Sequence, residues 1–142
     1  MKKLVLDTNT IISALFWQGH PRKILNLIKA GKYELLTSYE IEKELIRVLH
    51  YEKFGLNSKE ILPIIIDYRG YSKRILISSQ VSLIKDDPTD NIFLDCARDG
   101  HANFIISGDH HLLDLNSYES IPIVNSATFL KLELKWIEGE LN

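Results

Sequence analysis

Apolar residues come in short bursts along this chain, and their spacing changes from burst to burst. Leu4-Val5-Leu6 is an unbroken apolar run that stops at Asp7-Thr8-Asn9. A run without polar alternation suits a strand buried on both faces of a parallel sheet, with polar residues where the chain leaves it. Ile24, Leu25, Leu27 and Ile28 then recur at helical spacing between Pro21 and Gly31. Proline suits the first turn of a helix and glycine its C-terminal end. Residues 33–36 read as a second strand. Thr37 with Glu40 has the form of a capping box for a helix to about His50, with Ile41, Leu45, Val48 and Leu49 on one face.

Residues 51–72 are mixed. Ser58 is the expected cap of a helix through Ile61 and Ile64-Ile65-Ile66, with Pro63 confined to its first turns. Residues 74–77 read as a strand. Lys85-Asp86-Asp87-Pro88 reads as a turn, with Asp87 as N-cap and Pro88 at the first helical position. The helix it opens runs through Ile92, Phe93, Cys96 and Ala97 to Gly100. Phe104-Ile105-Ile106 is a further buried strand, ending at Ser107-Gly108-Asp109, and residues 121–124 form the last strand. Over residues 129–137 two patterns coexist. Leu130, Leu132, Leu134 and Trp136 alternate as in a strand, whereas Phe129, Leu130, Leu134 and Ile137 fit a helix, the preferred reading.

Short apolar strands alternating with helices imply βαβ units, hence an α/β fold with a parallel sheet covered on both faces. The length, 142 residues, fits one domain with one substantial core. Hydrophobic residues at 45% and charged residues at 25% exclude a disordered chain. A formal charge of −2 argues against binding nucleic acid through bulk positive charge, though not against an enzyme whose positive charge arrives as bound metal. The single cysteine, Cys96, rules out an intrachain disulfide and fits a reducing, cytoplasmic setting. No apolar run approaches the roughly 20 residues that span a bilayer, so no membrane association is expected. Asp7 interrupts the start too early for a secretory signal.

In an open parallel sheet, ligands bind beyond the carboxyl ends of the strands, where strand order reverses. The polar residues there are acidic. Asp7 follows the first strand and Asp109 follows the strand at 104–106; Asp87 and Asp90 open the helix before the latter, and Glu44 lies on the helix after the second strand. Carboxylates converging on one sheet edge repel unless a cation compensates, and hard oxygen ligands suit Mg²⁺ or Mn²⁺, the usual ions of phosphoryl chemistry.

Each acid also has a plainer role. Asp7 and Asp109 can cap the helices that follow them. Asp90, three residues after the expected cap, suits the helix dipole by roughly 0.3–1 kcal/mol. Asp95 is expected to be solvated on the same helix. Glu42 and Glu44 flank the apolar stripe at similar angles, and periodicity does not choose between them. His110 and His111 are adjacent, so on a helix they point about 100° apart and make no chelating pair. Cys96 is expected in the core, and Trp17 and Trp136 in packing or at an interface; exposure would be needed to argue base stacking. Glycine-rich phosphate loops, a serine-nucleophile elbow and paired zinc cysteines are all absent from the sequence.

The ordered set of motifs resembles the PIN-domain family, particularly the VapC-like toxin components of toxin–antitoxin pairs. LVLDTNTIISAL resembles that family's first-strand signature, with Ser13 as the small polar residue of the helix. Glu44-Leu45 resembles its second acidic position, DDPTDNIFLDCA the stretch with its third acid, here Asp90, and FIISGDHHLL its fourth-acid segment, with Ser107 and Asp109. The sequence departs from that pattern at His111, where many relatives carry another acid. The resemblance implies a three-layer α/β/α fold with a mainly parallel sheet and a single nuclease domain over residues 1–142. It implies an Mg²⁺- or Mn²⁺-dependent endoribonuclease, with Asp7, Glu44, Asp90 and Asp109 as catalytic metal ligands and Asn9 and Ser107 orienting them. A cognate antitoxin and a homodimer are the implied protein partners. The alternatives are a non-cleaving RNA- or protein-binding module on the same fold and an aspartyl phosphotransfer domain; Asp7-Thr8-Asn9 lacks the second acid that a dehalogenase-like version of the latter needs.

Overall fold

The computed structural model of the protein describes residues 1–78 and 90–139. Strand β1 (Lys2–Leu6) leads through Asp7 into helix α1 (Thr8–Phe16), followed by α2 (His20–Lys29) and β2 (Tyr33–Thr37). Helices α3 (Tyr39–Leu49) and α4 (Ser58–Tyr71) flank a 3₁₀ turn at Glu52–Phe54, and α4 runs directly into β3 (Ser72–Arg74). Helix α5 (Asn91–Asp99) precedes β4 (Phe104–Ile106), the single-turn α6 (His110–Leu113), a short β5 (Ser117–Tyr118), β6 (Ile121–Val124) and α7 (Ser126–Ile137).

The sheet has the order β3-β2-β1-β4-β6-β5, parallel except for β5 against β6. Because β1 is buried on both faces, its successive side chains feed two cores. Leu4 and Leu6 pack with Ile11, Ile24, Leu35, Leu45, Tyr68 and Phe129, whereas Val5 packs with Leu36, Phe93, Leu94, Ile105 and Leu112. The arrangement is the expected three-layer α/β/α fold with a mainly parallel sheet. Among the described residues, no helix is long and apolar enough to cross a membrane.

Several local expectations are corrected. Ser38, not Thr37, caps α3: its Oγ accepts from the Ile41 amide at 3.2 Å, while Thr37 ends β2 and its hydroxyl accepts from Tyr68 at 2.5 Å. Asn57 rather than Ser58 caps α4, in a reciprocal capping box with Glu60. The strand expected at 74–77 lies at Ser72–Arg74, paired with Leu35–Thr37. Ile75 and Ile77 are apolar because they pack on the second core beyond the strand's end, which a hydropathy pattern does not distinguish from sheet pairing. The helix preferred over residues 129–137 is borne out, within α7. The antiparallel β5 has no apolar run to announce it. The turn expected at 85–88, with Asp87 and Pro88, lies outside the described residues.

Topology locates the cleft. The chain builds β2 and β3 on one side of β1, then crosses to place β4 on the other. Strand order therefore reverses between β1 and β4, which is where an open α/β sheet leaves a crevice at its carboxyl edge. Pairing of these strands extends one residue past β1, with the Asp7 amide donating to the Ile106 carbonyl at 3.2 Å.

Candidate active site

Asp7 leaves β1 at this crevice and becomes the N-cap of α1. One carboxylate oxygen accepts from the Thr10 amide at 2.8 Å, and the other accepts from the Ser107 hydroxyl. The residue is only 3% exposed. Burial pushes its pKa above the ordinary 3.8; hydrogen bonds from Ser107 and Thr10 oppose the rise, and the charge of Asp109 adds to it. Its donors are neutral, and among the described residues no cation pairs with it. The plain capping role and the site role coincide in one side chain.

Ser107, the residue after β4, joins both halves of the crevice. Its hydroxyl donates to Asp7 and accepts from the Asp109 amide at 2.9 Å. Asp109 caps α6 through the His111 amide at 2.7 Å. Asp90 is the N-cap residue of α5 but makes no capping hydrogen bond with its side chain, and it is 7% exposed.

Helix α3 supplies Glu44, and the structure separates it from Glu42. Glu44 faces the crevice and is held by a forked pair to Arg47, at 2.7 and 3.1 Å. Glu42 turns away to β3 and α4, where it accepts from Arg69 at 2.6 Å and Arg74 at 2.8 Å. Burial would raise the Glu42 pKa, but the two guanidinium groups overcome it and hold the carboxyl below its ordinary range.

Asp7, Glu44, Asp90 and Asp109 thus line one cleft of about 730 Å³. Asn9 also lines it, exposed on the first turn of α1, but its amide contacts none of these acids. Arg47 and Tyr51, which no motif marks in the sequence, stand on the cleft wall. The signal was present: Arg47 is three residues after Glu44 and four before Tyr51, so all three share a helix face or its extension.

Two other expectations change. Asp95 is buried, 4% exposed, with the Arg98 guanidinium three residues on at 3.6 Å to offset its charge. His110 and His111 do not diverge: their ring centroids lie 4.1 Å apart, and their ring nitrogens and an Asp109 oxygen fall within 4.8 Å of one another. Side chains fan out at 100° per residue only along a sustained helix, and α6 is a single turn. Trp17 is 56% exposed, whereas Trp136 packs on Phe104 and Phe129 as expected. Cys96 is buried, and burial pushes its thiol up to about 12, far from a reactive thiolate.

The family model of the PIN domain matches residues 3–111, a span that carries all four cleft acids. The chain belongs to the PIN-domain family. No curated protein matches it. PIN domains are generally nucleases and typically use divalent metals. In this PIN domain the matched span runs from β1 to the start of α6; β5, β6 and α7 lie beyond it.

Proposed function

We propose that this PIN domain is a single-domain, Mg²⁺- or Mn²⁺-dependent endoribonuclease whose metal ligands are Asp7, Glu44, Asp90 and Asp109. The observation that carries the reading is Asp7: a buried carboxylate with neutral donors only among the described residues, sharing its cleft with three further acids. An uncompensated buried carboxylate is costly, and a divalent ion would relieve that cost. The donors are all hard carboxylate oxygens, the set that Mg²⁺ and Mn²⁺ favour. When bound, such an ion supplies Lewis acidity, an acidified water and positive charge against the transition state of phosphodiester hydrolysis.

The chain's own residues set the geometry. Ser107 and the Thr10 amide fix both oxygens of Asp7, and Ser107 also anchors the backbone of Asp109, so the two acids are positioned relative to each other. Each carboxylate oxygen keeps a second lone pair for an ion. Resemblance to VapC-like toxins supports a toxin role in the cytoplasm, with RNA as substrate, a cognate antitoxin as inhibitor and a homodimer as the working form.

One observation favours a second reading. Glu44 is already compensated by Arg47, as it would be in a module that binds RNA or protein without cutting. RNA cleavage mapping decides between them. Wild type in Mn²⁺ should give discrete endonucleolytic products that EDTA abolishes, and Asp7→Asn should retain the fold by circular dichroism while losing cleavage by at least about a hundredfold. Undiminished metal-dependent turnover in Asp7→Asn would reject the assignment.

A further inference from the structure

Beyond the acids, one wall of the cleft alternates aromatic and cationic side chains: Trp17, Arg47, Tyr51, Lys53 and Phe54. Trp17 ends α1 in extended backbone, φ −131° and ψ 154°, which carries its ring off the helix and into water. A tryptophan 56% exposed on a cleft lip is a large apolar surface that the described residues leave more than half uncovered. It is nevertheless held in place from behind. Its ring meets Phe16 edge-on at 6.0 Å, and Phe16 stacks on Phe54 at 5.3 Å and 16°. Tyr51, 39% exposed, is fixed by a 2.6 Å hydrogen bond from Arg47, whose guanidinium lies 5.4 Å from the Tyr51 ring centre. The Lys53 ammonium sits over Phe54 at 5.2 Å. Rings with a free face and adjacent cations are the combination that binds unpaired bases and their phosphates.

We infer that Trp17 and Tyr51 form a stacking platform for unpaired bases beside the acidic floor, with Lys53 contacting the strand's phosphates. A base-paired duplex keeps its bases stacked on one another and offers these rings nothing, so the platform selects single-stranded segments. Arg47 is shared: it compensates Glu44 and orients Tyr51. The inference rests on the nuclease reading for its substrate, but the platform is separate from the carboxylates and is tested separately.

The test measures binding of a fluorescein-labelled single-stranded RNA, the same strand in a duplex, and the DNA of the same sequence, in Ca²⁺. Anisotropy is read together with tryptophan emission in a Trp136→Phe background, where Trp17 is the only indole. Single strands should quench Trp17 and bind more tightly than the duplex. Trp17→Ala and Tyr51→Ala should each weaken single-strand binding by about tenfold, Trp17→Phe should restore most of it, and Lys53→Ala should lower the salt slope by about 0.7. Equal binding of RNA and DNA assigns recognition to base and phosphate; preference for RNA adds the ribose hydroxyl, and both outcomes support the platform. Wild-type affinity in both alanine variants, absence of Trp17 quenching, or equal duplex binding would overturn it. Loss of the platform effects with Mn²⁺-dependent cleavage intact would sink this inference alone. Intact platform effects in a protein that neither binds Mn²⁺ nor cleaves RNA would sink the nuclease reading alone.

Discussion

Asp7 concentrates the chemistry of the site. In the metal-free protein its pKa is raised by burial, so the folded state holds the proton more tightly than the unfolded chain, whose carboxyl titrates near the ordinary 3.8. Below that value Asp7 is protonated in both states and costs nothing. As pH rises through the window from 3.8 toward the raised folded value, the unfolded state releases its proton first and stability is lost. Thermal melts of metal-free wild type and Asp7→Asn should therefore converge near pH 4 and separate toward neutrality, with Asn the more stable. Adding Mn²⁺ at neutral pH should raise the wild-type melting temperature and shift that of Asp7→Asn much less. A difference that does not change with pH would show that Asp7 pays no ionisation cost. At this scale the sequence was partly legible. The position of Asp7 at a strand end announced a ligand site; that no cation pairs with it among the described residues was not legible, since that depends on what the other strands bring near it.

Two of the three acids on helix α3, Glu42 and Glu44, have opposite employment. Glu42 ties α3 to α4 and β3 through Arg69 and Arg74 while itself only 3% exposed. Glu44 pairs with an Arg47 side chain that is 55% exposed. Charge-assisted bonds to a buried carboxylate matter more than a surface ion pair. Urea denaturation should find Glu42→Gln destabilised by about 1–3 kcal/mol, with Glu44→Gln within about 1 kcal/mol of wild type. The reverse order would mean that the two roles are exchanged. Helical periodicity could not make this distinction, because both residues flank the Ile41/Leu45/Val48 stripe and the partners sit 27 and 32 residues away. Strong apolar bursts such as Leu4–Leu6 and Phe104–Ile106 were legible as strands because burial on both faces demands them. The caps were legible only to within one residue: Thr37 and Ser38, like Asn57 and Ser58, are adjacent and equally able to cap. Ser72–Arg74 escaped because a polar edge strand carries no apolar signature.

Across the whole molecule, the order β3-β2-β1-β4-β6-β5 turns acids scattered from position 7 to 109 into the lining of one cleft. A net charge of −2 says little about such a protein; its distribution says more. Acids form the floor beside β1 and β4, and Arg47 and Lys53 stand on the wall. A metal-loaded floor would meet a phosphate backbone without repulsion, while the metal-free floor would resist it. The central claim is that the four acids make one divalent-metal site. Calorimetric titration of Mn²⁺ into metal-free wild type, into Asp7→Asn, Glu44→Gln, Asp90→Asn and Asp109→Asn, and into Glu42→Gln tests it directly. Saturable binding in wild type and Glu42→Gln, weakened at least about tenfold in each of the other four, is the predicted result. Absence of saturable binding in wild type, or wild-type affinity in Asp7→Asn, would contradict it.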